Sequence, residues 1–245
     1  MNTRTLHIVG YLGGFFLKTV PTRKKLRKLT ETDPQESFRL AHNCLTGPVN
    51  RVFDLTGSTM TVKGLENIPK ETCLYASNHL SFLDIIVLEK TLPEDKRAGF
   101  IAKDSLKKIP GLSAWMELIR CIFLNRSDPK EGLKSILKGA DYLKEGYNMC
   151  IFPEGTRCKE GQLGDFKPAS LKMAQKAKVP VVPVAITGTS SILEENRGLS
   201  IKPAKVTVTF GEPIRIHELP RPEQKKAVDD VKQTIQAAID AELSR

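Results

Sequence analysis

Residues 73–84 read CLYASNHLSFLD, and this stretch decides how the chain folds. Its first five residues form a short apolar run that is typical of a buried strand. Asn78 or Ser81 is suited to cap a helix that continues through the apolar residues that follow. The stretch therefore predicts a strand, a tight turn and a helix, which is the repeating unit of α/β proteins.

The same alternation of short apolar runs and helical patterns continues along the chain from about residue 60. Strand-like runs occur near 60–63, 73–77, 98–102, 121–124, 148–152, 179–186 and 205–210. Helical patterns occur near 81–90, 130–144, 168–177 and 222–243. Because parallel strands need crossover connections, we predict an α/β fold with a mostly parallel sheet flanked by helices.

An apolar segment precedes this pattern, between residues 6 and 20. Within it, positions 8, 12, 15/16 and 19/20 trace one face of a helix. About 15 helical residues span roughly 22 Å, which is less than the roughly 30 Å of a bilayer core. We therefore predict an interfacial anchor, with an ordinary amphipathic core helix as the alternative.

A second helix is predicted to begin at Asp33-Pro34, where an acid suited to the N-cap precedes a proline at the first helical position. Gly47-Pro48 lies within its apolar stripe and predicts a kink or a break. We expect an N-terminal two-helix, membrane-associating motif in residues 1–57 and an α/β domain in residues 58–245.

Positive charge is concentrated near the N-terminus of this 245-residue sequence, whose formal net charge is +10. Residues 1–30 hold seven lysine and arginine residues and no acidic residue. A basic segment of this kind suits nucleic acid, an anionic membrane surface or an anionic substrate. Because the cluster at 18–28 adjoins the apolar segment, we predict interfacial association with an anionic leaflet at the cytoplasmic face of the cell membrane, and no nucleic-acid partner.

The five cysteines have no spacing typical of a metal site or of a disulfide framework. Cys73, Cys121 and Cys150 fall in strand-like apolar runs. We expect these three to be reduced core residues of a cytosolic protein, and we expect no metal site.

His79 and Asp84 are the first candidates for catalysis. Five residues of a regular helix turn about 500°, which leaves the two side chains roughly 140° apart. The pair can therefore form only if His79 lies in the turn ahead of the helix that carries Asp84. Imidazole accepts a proton near neutral pH, and a carboxylate on its other nitrogen fixes the tautomer. The alternative is an ordinary surface histidine in a polar turn.

A second group of polar residues lies in the sequence FPEGTR at 152–157, directly after a predicted strand. Pro153 must end that strand, and the glycine permits a tight turn from which Glu154 and Arg157 project. The planar fork of an arginine is suited to hold a phosphate. The alternative is a structural turn whose charged side chains are solvated.

Two further cations follow predicted strands in the same way. Lys103 follows the run that ends at Ala102, and Arg126 follows the run that ends at Leu124. If these strands are parallel neighbours, both cations emerge with Arg157 at the sheet edge that carries His79. Their convergence predicts a site for a hydroxyl substrate that bears a phosphate.

Four ordered blocks of this sequence resemble those of the glycerolipid acyltransferases. The blocks are Asn78-His79-x4-Asp84, FLNR at 123–126, FPEGTR at 152–157 and VPVVPV at 179–184. Within that family the sequence is most similar to the 1-acyl-sn-glycerol-3-phosphate acyltransferases. The blocks together cover roughly residues 70–190.

The resemblance implies transfer of a fatty acyl group from a thioester to the sn-2 hydroxyl of lysophosphatidic acid, giving phosphatidic acid. The donor would be acyl carrier protein or a coenzyme A thioester, with no cofactor. It implies that His79 is the general base and Asp84 its orienting partner. It places block 179–184 near the acyl chain. The substrate-binding residues that it implies are Lys103, Arg126, Glu154, Gly155, Thr156 and Arg157.

Other functions stay open at this point. The acceptor could be glycerol-3-phosphate or another lyso-lipid, because the same four blocks serve those substrates. A hydrolase that uses the same His/Asp pair is a second alternative, and a non-catalytic basic protein that binds membrane or nucleic acid is a third. Ala169 stands where family members often have glycine, which leaves the shape of the acyl pocket open.

Overall fold

A computed structural model describes residues 1–125 and 129–244, so Arg126 lies outside the described residues. The strands are β1 (Thr59–Lys63), β2 (Leu74–Ser77), β3 (Ala98–Lys103), β4 (Ile122–Leu124), β5 (Asn148–Ile151), β6 (Val181–Thr187) and β7 (Lys205–Phe210). They form one sheet in the order β1-β7-β6-β2-β5-β3-β4. All seven predicted strands are confirmed.

The sheet is parallel except where β7 runs antiparallel to β6. Strand β2 lies between β6 and β5, and all four of its residues are buried. A parallel strand covered on both faces is apolar along nearly its whole length, which explains the run at 73–77. The predicted α/β class with a mostly parallel sheet is confirmed.

Helices cover both faces of this sheet. They are α1 (Thr3–Lys18), α2 (Val20–Thr32), α3 (Pro34–Thr56), α4 (Leu83–Thr91), α5 (Leu112–Leu118), α6 (Pro129–Lys144), α7 (Lys172–Ala177), α8 (Thr189–Ile192) and α9 (Arg221–Leu243). One apolar core joins α1 to α5 with the sheet face that carries Tyr75 and Phe100. A second core joins α6, α7 and α9 with the opposite face, which carries Leu74 and Ala76.

Three helices occupy the N-terminal segment, so the prediction of two is wrong. The chain bends at Thr19, whose N–H and hydroxyl both donate to the carbonyl of Phe15. The basic cluster then forms a helix of its own, α2, because Leu26 is buried against the core. No break occurs at Pro48, since α3 continues to Thr56. A proline inside a helix costs about 3 kcal/mol, and burial of several apolar side chains at about 1.5–3 kcal/mol each offsets it.

The face of α1 that the sequence suggests for an anchor packs against protein instead. Ile8 is buried, and Leu12, Phe15 and Phe16 pack against the core. The ring of Phe15 stacks on Trp115 with centroids 5.6 Å apart. For this face the alternative, a core helix, is therefore the correct interpretation.

Hydrogen bonds fasten the start of α1 to the rest of the chain. The Thr5 hydroxyl donates to the carbonyl of Leu199, and the Asn2 amide donates to that of Ile201. Among the described residues, no helix is both long and apolar enough to cross a bilayer. The division of the chain at residue 57 stays a prediction.

Candidate active site

His79 and Asp84 lie in contact where β2 ends and α4 begins. His79 Nδ1 is 2.7 Å from Asp84 Oδ2, and the same oxygen accepts the N–H groups of Leu80 and Ser81 at 2.7 and 2.9 Å. Asp84 is fully buried in the first turn of α4. The histidine therefore precedes the helix that carries its partner, as the helical geometry requires.

The imidazole of His79 presents its second nitrogen outward. Because Nδ1 points at the carboxylate, it carries the proton and Nε2 has a free lone pair. The His79 side chain is 15% exposed, and Nε2 makes no hydrogen bond with any of the described residues. The ring stacks on Phe152, with centroids 4.1 Å apart. This arrangement leaves one basic nitrogen accessible to a substrate.

The loop after β5 holds the backbone of His79 on both sides. Glu154 Oε1 accepts the N–H of His79 at 2.9 Å, and the N–H of Cys158 donates to the His79 carbonyl at 2.8 Å. Glu154 Oε2 accepts the N–H of Gly164 at 2.7 Å, and the Glu154 side chain is buried. The described contacts of Glu154 are therefore those of a group that positions His79 rather than one that faces an acceptor.

Two other residues of this loop have clear local roles. Gly155 has a φ of 70°, which a residue with a side chain adopts only at a cost. Burial and the neighbouring Glu154 raise the pKa of Cys158 to about 11, so this residue is a thiol near neutral pH and a poor nucleophile.

Arg157 lies at the rim of the site, within reach of solvent. Its guanidinium is 2.9 Å from Glu194 Oε1 and lies 3.9 Å from the centre of the Phe82 ring. Thr156 and Arg157 line an open groove of about 910 Å³ together with Leu80. Lys103 ends β3, and because β5 separates β3 from β2, the axes of these two strands lie roughly 10 Å apart. The predicted position of Arg126 lies outside the described residues.

A mainly apolar cavity of about 260 Å³ adjoins the other side of this loop. Phe152, which stacks on His79, forms part of its wall, and so do Gly155 and Ala169. None of the residues of block 179–184 lines it, because that block forms the buried strand β6 within the sheet. A core-strand interpretation therefore holds for that block.

A known protein family matches the part of the chain that contains His79, Asp84 and Arg157. A sequence model of the family described as Acyltransferase matches residues 59–187, which include every part of the site just described except Glu194. The chain belongs to the acyltransferase family. The resemblance inferred from the four blocks is thereby confirmed.

Named relatives of this acyltransferase chain agree with the family match. It is 32% identical over 181 residues to a probable 1-acyl-sn-glycerol-3-phosphate acyltransferase of Mycoplasma pneumoniae, covering 67% of each chain. It is 36% identical over 155 residues to a chloroplastic 1-acyl-sn-glycerol-3-phosphate acyltransferase of Brassica napus, covering 62% of this chain. That match spans 44% of the Brassica protein, less than half of its length.

A solved structure resembles the whole acyltransferase chain. The crystal structure of the 1-acyl-sn-glycerophosphate acyltransferase from Thermotoga maritima superposes with a TM-score of 0.75 at 25% identity. The superposition covers 99% of both chains, so it includes the three N-terminal helices as well as the sheet.

Two residues of the candidate site, Thr189 and Glu194, were not predicted from the sequence. The hydroxyl of Thr189 donates to Asp84 Oδ1 at 2.5 Å, and Glu194 accepts both the Arg157 guanidinium and the N–H of Phe82. Thr189 follows the carboxyl end of β6, the neighbour of β2. The rule that sites collect at the carboxyl ends of parallel strands applies to it as it does to His79.

Proposed function

We propose that this protein transfers a fatty acyl group from a thioester to the sn-2 hydroxyl of 1-acyl-glycerol-3-phosphate, giving phosphatidic acid. The observation that carries the proposal is the imidazole of His79, held at Nδ1 by a buried carboxylate and open at Nε2. Relatives named for this reaction support the choice of acceptor and product.

The chemistry follows from the two ring nitrogens. Nε2 of His79 takes the proton of the acceptor hydroxyl while its oxygen bonds to the thioester carbonyl carbon. The carbon–sulfur bond then breaks, sulfur leaves with the bonding pair, and Nε2 returns the proton to it. Asp84 stabilises the imidazolium that exists between these steps. Because a thiol is much more acidic than an alcohol, the departing sulfur needs little help.

Backbone amides of the 154–157 turn are the best donors for the oxyanion that forms. The N–H groups of residues 79–83 each donate to a side-chain oxygen and are therefore occupied. Those of Thr156 and Arg157 make no hydrogen bond with the residues that the structure describes. We propose that these two N–H groups donate hydrogen bonds to the oxyanion. Donors that are fixed in place before the reaction stabilise developing charge most effectively.

The acceptor phosphate is assigned to Arg157, with Lys103 as a further cation. Arg126 is retained as a third cation on the sequence prediction alone, since it lies outside the described residues. Glu194 holds the Arg157 guanidinium in the described structure, and phosphate would replace that carboxylate as its partner. Thr156 and Gly155 belong to the turn that presents Arg157. Glu154 contributes by accepting the N–H of His79, which fixes the position of that residue.

Changing Arg157 to alanine is expected to raise the KM for lysophosphatidic acid by roughly 10- to 100-fold, because a hydrogen bond between charged groups is lost. The KM for the acyl donor should stay close to that of the wild type. Steady-state kinetics with each substrate varied in turn measure both values. Arg215→Ala is the matched control, since Arg215 forms an exposed ion pair with Glu71. Equal increases in both KM values would contradict the assignment.

The acyl chain is assigned to the apolar cavity behind Phe152. Its wall includes Ile101, Ile136 and Met173, and apolar lining favours a hydrocarbon chain. The donor is acyl carrier protein or a coenzyme A thioester, both of which are anionic and suit the basic chain. We assign no cofactor and no metal to the reaction.

A transfer assay tests the function as a whole. Purified protein receives lysophosphatidic acid or glycerol-3-phosphate, each with an acyl carrier protein donor and with a coenzyme A donor. Formation of phosphatidic acid supports the proposal and names the donor. A preference for glycerol-3-phosphate would identify that molecule as the acceptor, and free fatty acid released without an acceptor would indicate a hydrolase. An inactive folded protein that binds anionic vesicles or DNA would support a non-catalytic role.

We further propose that α1 rests on the anionic leaflet at the cytoplasmic face of the membrane. Leu6, Val9 and Leu17 share the outer face of this helix and are 56%, 56% and 77% exposed. Exposed apolar side chains in one stripe beside a basic cluster are typical of interfacial helices. This position gives the enzyme access to an acceptor and a product that both reside in the leaflet.

Replacing Leu6, Val9 and Leu17 together with aspartate is expected to abolish sedimentation with anionic vesicles. Wild-type protein should still sediment in high salt, because apolar burial persists when charge is screened. A control in which Leu65 and Leu243 become aspartate should sediment like the wild type, since both are exposed leucines outside α1. Full release of the wild type by salt would make the association purely electrostatic.

A further inference from the structure

The two oxygens of the Asp84 carboxylate have very different surroundings. Oδ2 accepts from His79 and from two backbone N–H groups. Within the described residues, Oδ1 accepts from one donor only, the hydroxyl of Thr189 at 2.5 Å. Thr189 is completely buried, so its side chain is out of reach of any substrate in the groove. Its hydroxyl acts on the site only through Asp84.

A carboxylate from another loop fixes the turn that delivers Thr189. Glu160 Oε2 accepts the N–H of Gly188 at 2.8 Å and the hydroxyl of Ser190 at 3.1 Å, the two residues that flank Thr189. Gly188 has a φ of 83°, and a Cβ there would lie 2.0 Å from the carbonyl oxygen of Lys205. The turn therefore has little freedom, and Glu160 is the side chain that holds both of its ends.

We propose that Thr189 is a positioning residue for the His79/Asp84 pair, and that Glu160 sets the position of Thr189 through the Gly188–Ser190 turn. The proposal deepens the proposed function and rests on it for its kinetic tests. Glu160 belongs to the same loop as Glu154, which holds the His79 backbone. One loop thus fixes both members of the pair, His79 directly and Asp84 through Thr189.

The physical reason lies in how a carboxylate is oriented. Without Thr189, Oδ1 has no donor among the described residues, and rotation of the carboxylate weakens its bond to Nδ1 of His79. Loss of the hydroxyl should therefore lower kcat.

Several charged groups face this network and belong to its electrostatics. Burial raises the pKa of Glu160, and the carboxylates of Glu195 and Asp84 act in the same direction. The N–H of Gly188 and the hydroxyl of Ser190 oppose that shift. Glu195 also accepts the hydroxyl of Ser190, at 2.7 Å. The turn is thus fixed by two acids, of which Glu160 alone holds both of its ends.

Thr189→Val is the first test, because valine keeps the shape of threonine and removes only the hydroxyl. We expect kcat to fall roughly 10- to 100-fold, the range that loss of a hydrogen bond to a charged group implies, with both KM values unchanged. Thr189→Ser should restore kcat, because serine supplies the same hydroxyl. The matched control is Thr207→Val. Thr207 is a buried threonine on β7, and its hydroxyl donates to Glu242 at 3.0 Å.

Glu160 supplies a second, independent test. Glu160→Ala should reproduce the loss of kcat seen in Thr189→Val, whereas Glu160→Gln should retain most activity, because an amide oxygen still accepts both donors. The double variant Thr189→Val/Glu160→Ala should be hardly slower than either single variant, since both act along one path. Additive losses would overturn the role of Glu160, and wild-type kinetics in Thr189→Val would overturn that of Thr189.

A spectroscopic measurement separates this proposal from the proposed function. The low-field proton resonance of His79 Nδ1, assigned by its absence in His79→Ala, should shift in Thr189→Val and in Glu160→Ala, and stay in place in Thr207→Val. An unshifted resonance in Thr189→Val would overturn the proposal even in an active enzyme. A shift in a protein that fails to transfer acyl groups would support the positioning role and overturn the proposed function alone.

Discussion

Replacing His79 with alanine is expected to lower kcat for acyl transfer by about 10²–10⁴-fold, the usual contribution of a general base. The expectation follows from the geometry, since Nε2 of His79 is the open nitrogen of a ring whose Nδ1 is engaged by Asp84. Initial rates with lysophosphatidic acid and the preferred donor measure the loss. KM values should change little, because the imidazole acts on the proton rather than on the phosphate or the acyl chain.

His217→Ala is the control for that variant. His217 lies in a short helical turn far along the chain, and its side chain is largely buried like that of His79. Its replacement should leave kcat within a factor of about two, whatever it does to stability. Circular dichroism establishes that both variants are folded. Near-wild-type turnover by a folded His79→Ala protein on vesicles would exclude His79 as the base.

Asp84→Asn is expected to cause the second largest loss, again about 10²–10⁴-fold in kcat. The amide oxygen of asparagine can take the place of Oδ2 and keep the N–H groups of Leu80 and Ser81. Its amide nitrogen would then face the hydroxyl of Thr189, which is able to accept. The turn should therefore stay folded while the negative charge that stabilises the imidazolium is absent.

Thermal unfolding distinguishes a lost charge from a lost fold in this variant. Asp141→Asn is the matched control, because Asp141 is an exposed residue of α6 whose carboxylate pairs with Lys144. Activity of Asp84→Asn equal to that of the wild type, in protein that unfolds at the same temperature, would rule out an electrostatic role for this carboxylate.

The sequence was sufficient to predict the sheet because its strands appear either as short apolar runs, as in β6, or as alternating polar and apolar residues, as in β7. Strand β2 belongs to the first kind, since both of its faces are covered and its one polar residue, Ser77, stands at its end. Helix α7 begins at Lys172 rather than near 168, because residues 168–171 form a turn before it. Helix α5 was missed, since its seven residues are too few to show a period.

The N-terminal helices show what periodicity leaves undecided. An apolar stripe predicts that one face of α1 is covered, and it contains no information on whether protein or lipid covers it. Phe15 stacks on Trp115, a residue 100 positions away in the sequence, and only the tertiary fold brings the two together. The break between α1 and α2 at Thr19 could not be predicted for a similar reason. Burial of Leu26 holds α2 as a separate helix, and that burial depends on the tertiary fold.

The pairing of His79 with Asp84 was predictable because it depends on local geometry. The contacts of Thr189 and Glu160 were not, since both join segments that lie far apart in the sequence. Arg157 shows an intermediate case. Its place at the sheet edge follows from the end of β5, whereas its partner Glu194 comes from a segment beyond β6. The catalytic and binding roles of these residues stay predictions until the variants are measured.

The hydrogen bonds of Thr5 and Asn2 to the carbonyls of Leu199 and Ile201 make α1 a rigid extension of the body that carries His79. In the proposed orientation, the depth at which α1 settles among the headgroups thus fixes the height of Nε2 above the plane of the lipid hydroxyls. A lipid must rise by that height to react. Loosely packed or strongly curved leaflets should therefore speed turnover without altering the affinity of the site for the headgroup.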